Sequence, residues 1–160
     1  FLRTSFQLPL AQVDSLRCEE VLDKPLPEMH IRASITALRY ANKTGSRLFV
    51  PVAPLRSGPG RFTAERRHDL WIDKGYCDTD SLTLHLPEGY VVEALPKSVT
   101  IENRFGKVAF EALCSGDRLH IRIRLLRRSG RYPQSEYAAF REFMQAVDRV
   151  YSAKIVLRKV

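Results

Sequence analysis

The amino-acid sequence predicts a mainly β fold, an antiparallel β-sandwich-like domain with one C-terminal amphipathic helix followed by a final strand. Three observations lead to this fold class. Apolar and polar residues alternate with period two in several segments, which is the pattern of strands that bury one face. Tight turns that contain glycine separate three of these segments. The period changes to that of a helix only between residues 135 and 151.

The N-terminal part of the chain contains two predicted strands. Residues 29–37 and residues 48–52 each carry an apolar residue at every second position, and residues 42–45 between them have the composition of a turn. The segment Ser57-Gly-Pro-Gly60 is rich in helix and strand breakers and marks a candidate boundary. Because the part before it is short, we expect a long loop within a single domain that spans residues 1–160. Residues 1–27 show no clear pattern.

The central part predicts a strand followed by a three-stranded antiparallel meander. Residues 81–86 alternate Ser-Leu-Thr-Leu-His-Leu, and three further alternating runs cover residues 97–104, 107–114 and 118–126. The natural two-residue loops are Phe105–Gly106 and Gly116–Asp117. Residues equidistant from a hairpin loop face one another, so these loops also predict the register. The predicted pairs are Ile101 with Phe110, Val99 with Ala112, Phe110 with Ile123, Val108 with Leu125 and Glu111 with Arg122.

An apolar stripe at intervals of three and four residues predicts an amphipathic helix over residues 135–151. Ser135 is its predicted N-cap, and Pro133 lies just outside it. We expect the stripe to belong to the core rather than to form a groove for a partner. Residues 154–159 form the predicted final strand. The stripe consists of Tyr137, Phe140, Phe143, Met144, Val147, Val150 and Tyr151.

Composition places the chain among ordinary globular proteins, because 44% of its residues are apolar and 28% are charged. Its longest apolar runs are far shorter than the ~20 residues that span a bilayer, so we expect no membrane span. Cys18, Cys77 and Cys114 form no C-x-x-C motif, and we expect buried or half-buried free thiols. The sequence opens on Phe1 rather than Met, and we expect it to be a fragment of a larger protein.

The residue types needed for catalysis or metal binding are present, but not at the required spacing. A papain-like nucleophile begins a helix, whereas Cys77 is predicted to lie in a polar turn between two strands. Asp73, Asp78 and Asp80 lack the twelfth-position acid of a calcium-binding loop. The four histidines fall on different predicted strands without zinc-ligand spacing. We therefore predict no catalytic residue, no metal site and no cofactor, and we expect that this chain is not an enzyme. The histidines are His30, His68, His85 and His120.

Basic residues exceed acidic ones, 26 against 18, and the net charge of +8 favours contact with polyanions. Because the predicted register sets Glu111 opposite Arg122, and Glu102 shares a face with Arg124, we expect a partly neutralised, solvated or interdomain face and no nucleic-acid binding. The alternative is a polyanion- or acidic-glycan-binding module that uses this cluster with Trp71 and Tyr132. The cluster contains Arg118, Arg122, Arg124, Arg127, Arg128 and Arg131, of which the last five are the candidate contacts.

Four segments carry a family resemblance. They are Asp80-Ser-Leu-Thr-Leu-His-Leu-Pro-Glu-Gly-Tyr-Val-Val-Glu-Ala-Leu-Pro96, Tyr137-Ala-Ala-Phe-Arg-Glu-Phe143, Ile155-Val-Leu-Arg-Lys159, and Glu65-Arg-Arg67 before Leu70-Trp-Ile72. Over about residues 60–160 the chain resembles the uncharacterised C-terminal β domain that follows a transglutaminase-like domain in large secreted proteins, mostly from Bacteroidetes. These motifs are structural, so they leave the molecular role open.

The resemblance implies an order of domains: an N-terminal β domain, a central papain-like transglutaminase or protease-like domain, and this domain last. The catalytic residues of the central domain have no matching positions in this chain. The resemblance therefore implies a non-catalytic accessory domain that packs against, positions or stabilises the upstream transglutaminase-like domain of the same polypeptide. It also implies a location in the periplasm or at the cell surface.

Overall fold

The computed structural model describes residue 8, residues 10–54, residue 62 and residues 65–160. The predicted fold class is confirmed: the chain is mainly β with antiparallel sheets, and one C-terminal helix precedes a final strand. The helix, α1, spans Tyr137–Tyr151 and follows a 3-10 turn at Gln134–Glu136. The strands of the described part are β1 Ala11–Val21, β2 Glu28–Ala37, β3 Asn42–Thr44, β4 Arg47–Pro51, β5 Leu70–Ile72, β6 Tyr76–His85, β7 Tyr90–Ala94, β8 Val99–Asn103, β9 Gly106–Ser115, β10 Arg118–Arg127, β11 Gly130–Tyr132 and β12 Lys154–Lys159.

Two four-stranded sheets and α1 form the core. One sheet has the order β6-β10-β9-β8 and the other the order β3-β4-β12-β7, while β11-β5 and β1-β2 are two-stranded. Fully buried side chains come from the first sheet (Val108, Ile123), the second sheet (Ile155) and α1 (Val147). Burying a large apolar side chain contributes ~1.5 to 3 kcal/mol, so this shared core holds the three elements together.

The helix is a core element, as its sequence pattern predicts. All seven residues of its apolar stripe are buried, and they belong to the same cluster as the two sheets. The prediction of Ser135 as N-cap is wrong. A 3-10 turn extends the helix start, so Glu136 occupies the N-cap position and makes no side-chain capping hydrogen bond. The backbone N–H of Glu136 donates to the carbonyl of Pro133 instead.

The predicted register is correct for one hairpin of the meander and wrong for the other. Between β9 and β10, the pairs Phe110 with Ile123, Val108 with Leu125 and Glu111 with Arg122 are as predicted. Between β8 and β9, Ile101 lies opposite Val108, and Val99 lies opposite Phe110. The loop therefore consists of residues 104 and 105, and the glycine that was expected in the turn is the first residue of β9.

Close packing explains why the loop moves. A Cβ atom on Gly106 would lie 2.0 Å from the carbonyl oxygen of Leu126, so the glycine permits close approach of two strands rather than a turn. Phe105 is 2% exposed, and its ring lies against those of Tyr132 and Phe140. An aromatic side chain that is buried in this way fixes the end of the hairpin from inside.

Several other features lie outside what the sequence predicts. Strand β6 begins at Tyr76, so Cys77 lies within a strand and not in a polar turn. Strand β1 falls in the segment that shows no clear pattern, and the candidate boundary at residues 57–60 lies outside the described residues. Within the described part of the chain, no helix has both the length and the apolarity needed to cross a membrane.

Candidate functional site

Arg122 and Arg124 project from the outer face of the β6-β10-β9-β8 sheet. They alternate along β10 with Ile121, Ile123 and Leu125, which are buried in the core, so strand geometry directs the two arginines outward. Their neighbours on β6 and β9 are small or polar. Ser81 and Glu111 flank Arg122, and Thr79 and Ala109 flank Arg124.

A shallow hollow of about 300 Å³ lies on this outer face. Cationic side chains from two strands border it, and a hydroxyl and a carboxylate complete its wall. The positive charges exceed the single negative charge, so the hollow suits an anionic group better than a cation. Its lining residues are Thr100, Lys107, Ala109, Glu111, Arg122 and Arg124.

The expected neutralisation of this face by acidic neighbours is only partly present. Glu111 lies directly opposite Arg122 as predicted. Among the described residues, however, neither Arg122 nor Arg124 has an ion pair within 4.0 Å. The two guanidinium groups therefore keep their charge available toward solvent.

Glu102 is engaged with cations other than Arg124. Its carboxylate lies 3.0 Å from the Lys107 ammonium group and 3.1 Å from the Arg128 guanidinium group. The hydrogen bonds from Lys107 and then Arg128 lower the pKa of Glu102 below its ordinary value of 4.5. Glu102 therefore remains ionised at neutral pH, and it partly compensates Lys107 at the edge of the hollow.

The other three candidate arginines make internal contacts. The guanidinium group of Arg127 lies 5.2 Å from the ring centroid of Tyr76, which is a cation–π geometry. Arg128 donates to the backbone carbonyl of Asn103 as well as to Glu102. Arg131 donates to the carboxylate of Asp69 at 3.0 Å. The structure therefore separates the five predicted contacts into two outward arginines and three that bind their own domain.

The two aromatic residues of the alternative reading differ in exposure. Tyr132 is 5% exposed and packs on Phe105, so its ring is covered and is not available to stack on a ligand. Trp71 is 74% exposed and lies opposite Arg131 across the β5-β11 ladder. Of this pair, only Trp71 presents an aromatic face to solvent.

Sequence reasoning missed the hydroxyls that β6 contributes to this face. The meander was predicted with three strands, whereas β6 pairs along the whole length of β10 and places Thr79 and Ser81 beside the arginines. The alternation over residues 81–86 identified the strand but not its neighbour. A pairing between strands so distant in sequence leaves no local signal.

The cysteines are free, as expected, but they are exposed rather than buried. Cys77 lies opposite Leu126 within the β6-β10 ladder, in a strand and not at the start of a helix. Within the described ranges, no three His, Cys, Asp or Glu side chains come close enough together to hold a metal ion.

Comparison with known protein families identifies the family of the domain. Residues 46–157 match the model of DUF3858, a family described as a domain of unknown function with a solved structure, and the match covers more than half of the chain. The chain belongs to the DUF3858 family. The matched span includes both four-stranded sheets except for β3 and the last two residues of β12, together with the whole of α1.

One solved structure has a similar fold. It is the crystal structure of what is named a "putative protease" from Parabacteroides distasonis, with a TM-score of 0.54 and 13% sequence identity. The alignment covers 61% of the present chain but 19% of that chain, so the aligned part corresponds to about one fifth of that protein. At this identity the likeness concerns the fold alone. No curated protein is significantly similar to this sequence.

Proposed function

We propose that this DUF3858 domain is a non-catalytic accessory domain that packs against a transglutaminase-like, protease-like domain of the same polypeptide, in the periplasm or at the cell surface. The observation that carries the proposal is the structural neighbour, in which the shared fold occupies 19% of a chain named a "putative protease". The sequence resemblance described above points to the same arrangement.

The position of Cys77, the candidate nucleophile, also supports an accessory role. A cysteine nucleophile of the papain type gains its low pKa at a helix N-terminus beside a histidine. Cys77 instead lies near the start of β6, an edge strand of its sheet, opposite the aliphatic Leu126. We expect the isolated chain to show no thiol-dependent hydrolase or transglutaminase activity. A turnover that disappears in Cys77→Ala would contradict this expectation.

The experiment that tests the accessory role compares the natural polypeptide with a version that lacks this domain. If the domain stabilises its neighbour, the deletion should lower the Tm of the remaining protein by at least about 5 °C, since 1 kcal/mol corresponds to ~2 to 4 °C for a domain of 150 to 250 residues. An unchanged Tm together with unchanged activity would refute the proposal.

A second candidate function is the binding of an acidic glycan or another polyanion on the outer face of the β6-β10-β9-β8 sheet. The specific observation in its favour is that Arg122 and Arg124 border one hollow and have no ion pair among the described residues. Lys107 adds a third cation beside them. Exposed charges of this kind contribute through long-range attraction, which salt screens.

Heparin chromatography distinguishes this function from non-specific attraction. The double variant Arg122→Ser/Arg124→Ser should elute at markedly lower salt than the unchanged chain. The matched control is Arg17→Ser/Arg32→Ser, which removes the same charge from another exposed strand pair. Equal losses of retention in the two variants would show that net charge alone governs binding, and would remove the outer face as a site.

A further inference from the structure

The hairpin formed by β1 and β2 is set apart from the rest of the fold. In the described part of the chain, these strands pair only with each other, in the register Val13 with Ile35, Leu16 with Ala33 and Cys18 with Ile31. They also lie outside residues 46–157, the span that matches the DUF3858 family. The family domain therefore has its own core without them.

One face of this hairpin is apolar and the other is polar. Pairs such as Gln12 with Thr36 and Arg17 with Arg32 alternate with the apolar pairs, so the two sets point to opposite sides. Apart from the half-buried Ile35, the apolar set is exposed: Leu16 is 51% accessible and Met29 61%. We name this set the apolar face; its members are Val13, Leu16, Cys18, Met29, Ile31, Ala33 and Ile35. Glu20, which pairs with Met29, lies on the same side near the turn of the hairpin.

An exposed two-stranded ribbon with one apolar face is not a stable end state. A hairpin without a third strand or a covering layer is marginally stable in water. The largest contiguous apolar patch on a soluble monomer is typically about 300 to 600 Å² and is often functional. A partner surface that covers this face would stabilise the hairpin and remove its apolar side chains from water.

The size of the face favours a tethered partner over a second copy of the chain. Two strands ~30 Å long and ~10 Å wide present roughly 300 Å². Counting both sides, the contact is about 600 Å², which lies at the low end of interfaces between domains of one chain. A free dimer needs nearer ~1,600 Å². A partner on the same polypeptide needs less, because the tether raises its effective concentration.

We infer that the apolar face of the β1-β2 hairpin is the surface that docks the adjacent domain of the same polypeptide. The inference rests on the proposed accessory function and names the contact through which it acts. The adjacent domain supplies a complementary apolar surface, while the polar face of the hairpin, with Arg17 and Arg32, remains in water.

Cys18 provides a native probe, since its thiol lies on the apolar face and is exposed. The alkylation rate of Cys18 by N-ethylmaleimide is measured in the 160-residue chain and in the natural polypeptide, each relative to the rate of the same thiol in urea. The expected result is a rate at least about tenfold lower in the natural polypeptide, because docking removes the thiol from solvent.

Two double variants in the natural polypeptide separate the faces. Leu16→Thr/Ile31→Thr keeps strand-forming residues but makes the face polar, and it should restore fast alkylation of Cys18. Arg17→Thr/Arg32→Thr changes the neighbouring positions on the opposite face and should leave the thiol protected. Hydrogen exchange of the β9 and β10 amides, which should stay slow in both variants, verifies that the body of the domain remains folded.

Three results would overturn the inference. One is equal Cys18 reactivity in the chain and in the natural polypeptide. Another is protection in the isolated chain that grows with protein concentration, which would identify a second copy as the occupant. The third is concentration-independent protection in the isolated chain, which would place the cover within it. If the domain deletion lowers the Tm but Cys18 stays reactive, the accessory role stands and only this contact fails.

Discussion

Replacing Phe105 tests whether the end of the β8-β9 hairpin is anchored from inside. The side chain is 2% exposed, with ring centroids 4.8 Å from Tyr132 and 5.5 Å from Phe140. A buried Phe→Ala change costs ~3 to 5 kcal/mol, through lost transfer free energy and the cavity that remains. An exposed turn residue would cost within about 0.5 kcal/mol. The expected loss in free energy of unfolding is therefore several-fold larger for a buried Phe105 than for an exposed turn residue.

Urea denaturation followed by fluorescence measures the difference. With an m-value of ~2 kcal/mol per M, a loss of ~4 kcal/mol lowers the midpoint by ~2 M. Leu113→Ala is the control, because Leu113 is 69% exposed on β9 and should shift the midpoint very little. If Phe105→Ala fails to fold, Phe105→Leu should give a smaller, measurable loss. A midpoint for either Phe105 variant within error of the unchanged chain would refute the anchoring argument.

Three further outcomes follow from the same structure. Gly106→Ala should lower the free energy of unfolding by ~3 kcal/mol or more in urea denaturation, because the added Cβ would clash with backbone atoms. Gly89→Ala, at φ +74° with open space around it, should cost only ~1 to 2 kcal/mol. Equal costs would contradict the close approach of the strands at Gly106. Burial raises the pKa of Tyr40 to about 12, so the phenol loses its proton first in the unfolded chain, and the free energy of unfolding should fall as pH rises from about 10 toward 12. Tyr40→Phe should remove this fall, and an unchanged dependence of stability on pH in the variant would contradict the argument. The pKa of Glu102 is lowered in the folded chain, so the carboxylate stabilises the fold above about pH 4.5, and this stabilisation is lost as pH falls through the pKa of the folded state. The difference in stability between the unchanged chain and Glu102→Gln should therefore shrink in acid. A difference independent of pH would count against the pair with Lys107.

The register of the meander shows how far the sequence determines the fold. At the β9-β10 turn, the glycine signature and the apolar alternation require the same pairs, and the prediction is correct. At the β8-β9 turn, sliding the pairing by two residues leaves every side chain on its original face, so Val99 can face either Ala112 or Phe110 with an apolar partner. Alternation cannot distinguish the two registers. The contacts of Phe105 and Gly106 with distant residues decide between them.

The candidate site is likewise predictable from the sequence only in part. Local alternation is enough to place Arg122 and Arg124 on the outer face, because their neighbours along β10 are buried. The contacts of Arg127 and Arg131 depend on Tyr76 and Asp69, which are distant in sequence. No spacing rule along the chain predicts such contacts. The arginine cluster in the sequence therefore overstates the number of candidate contacts that lack an internal partner.

The position of β12 affects the folding of the chain during synthesis as well as the stability of the finished sheet. This strand, Lys154–Lys159, lies between β4 and β7, so the sheet has no central strand until the last part of the domain has left the ribosome. Before then, β4 and β7 each present an unpaired edge that can pair with other chains. Long-range pairing of this kind also slows folding. We expect this domain to complete its folding only after residues 154–159 have left the ribosome, and ribosome stalling before residue 154 to yield an aggregation-prone chain.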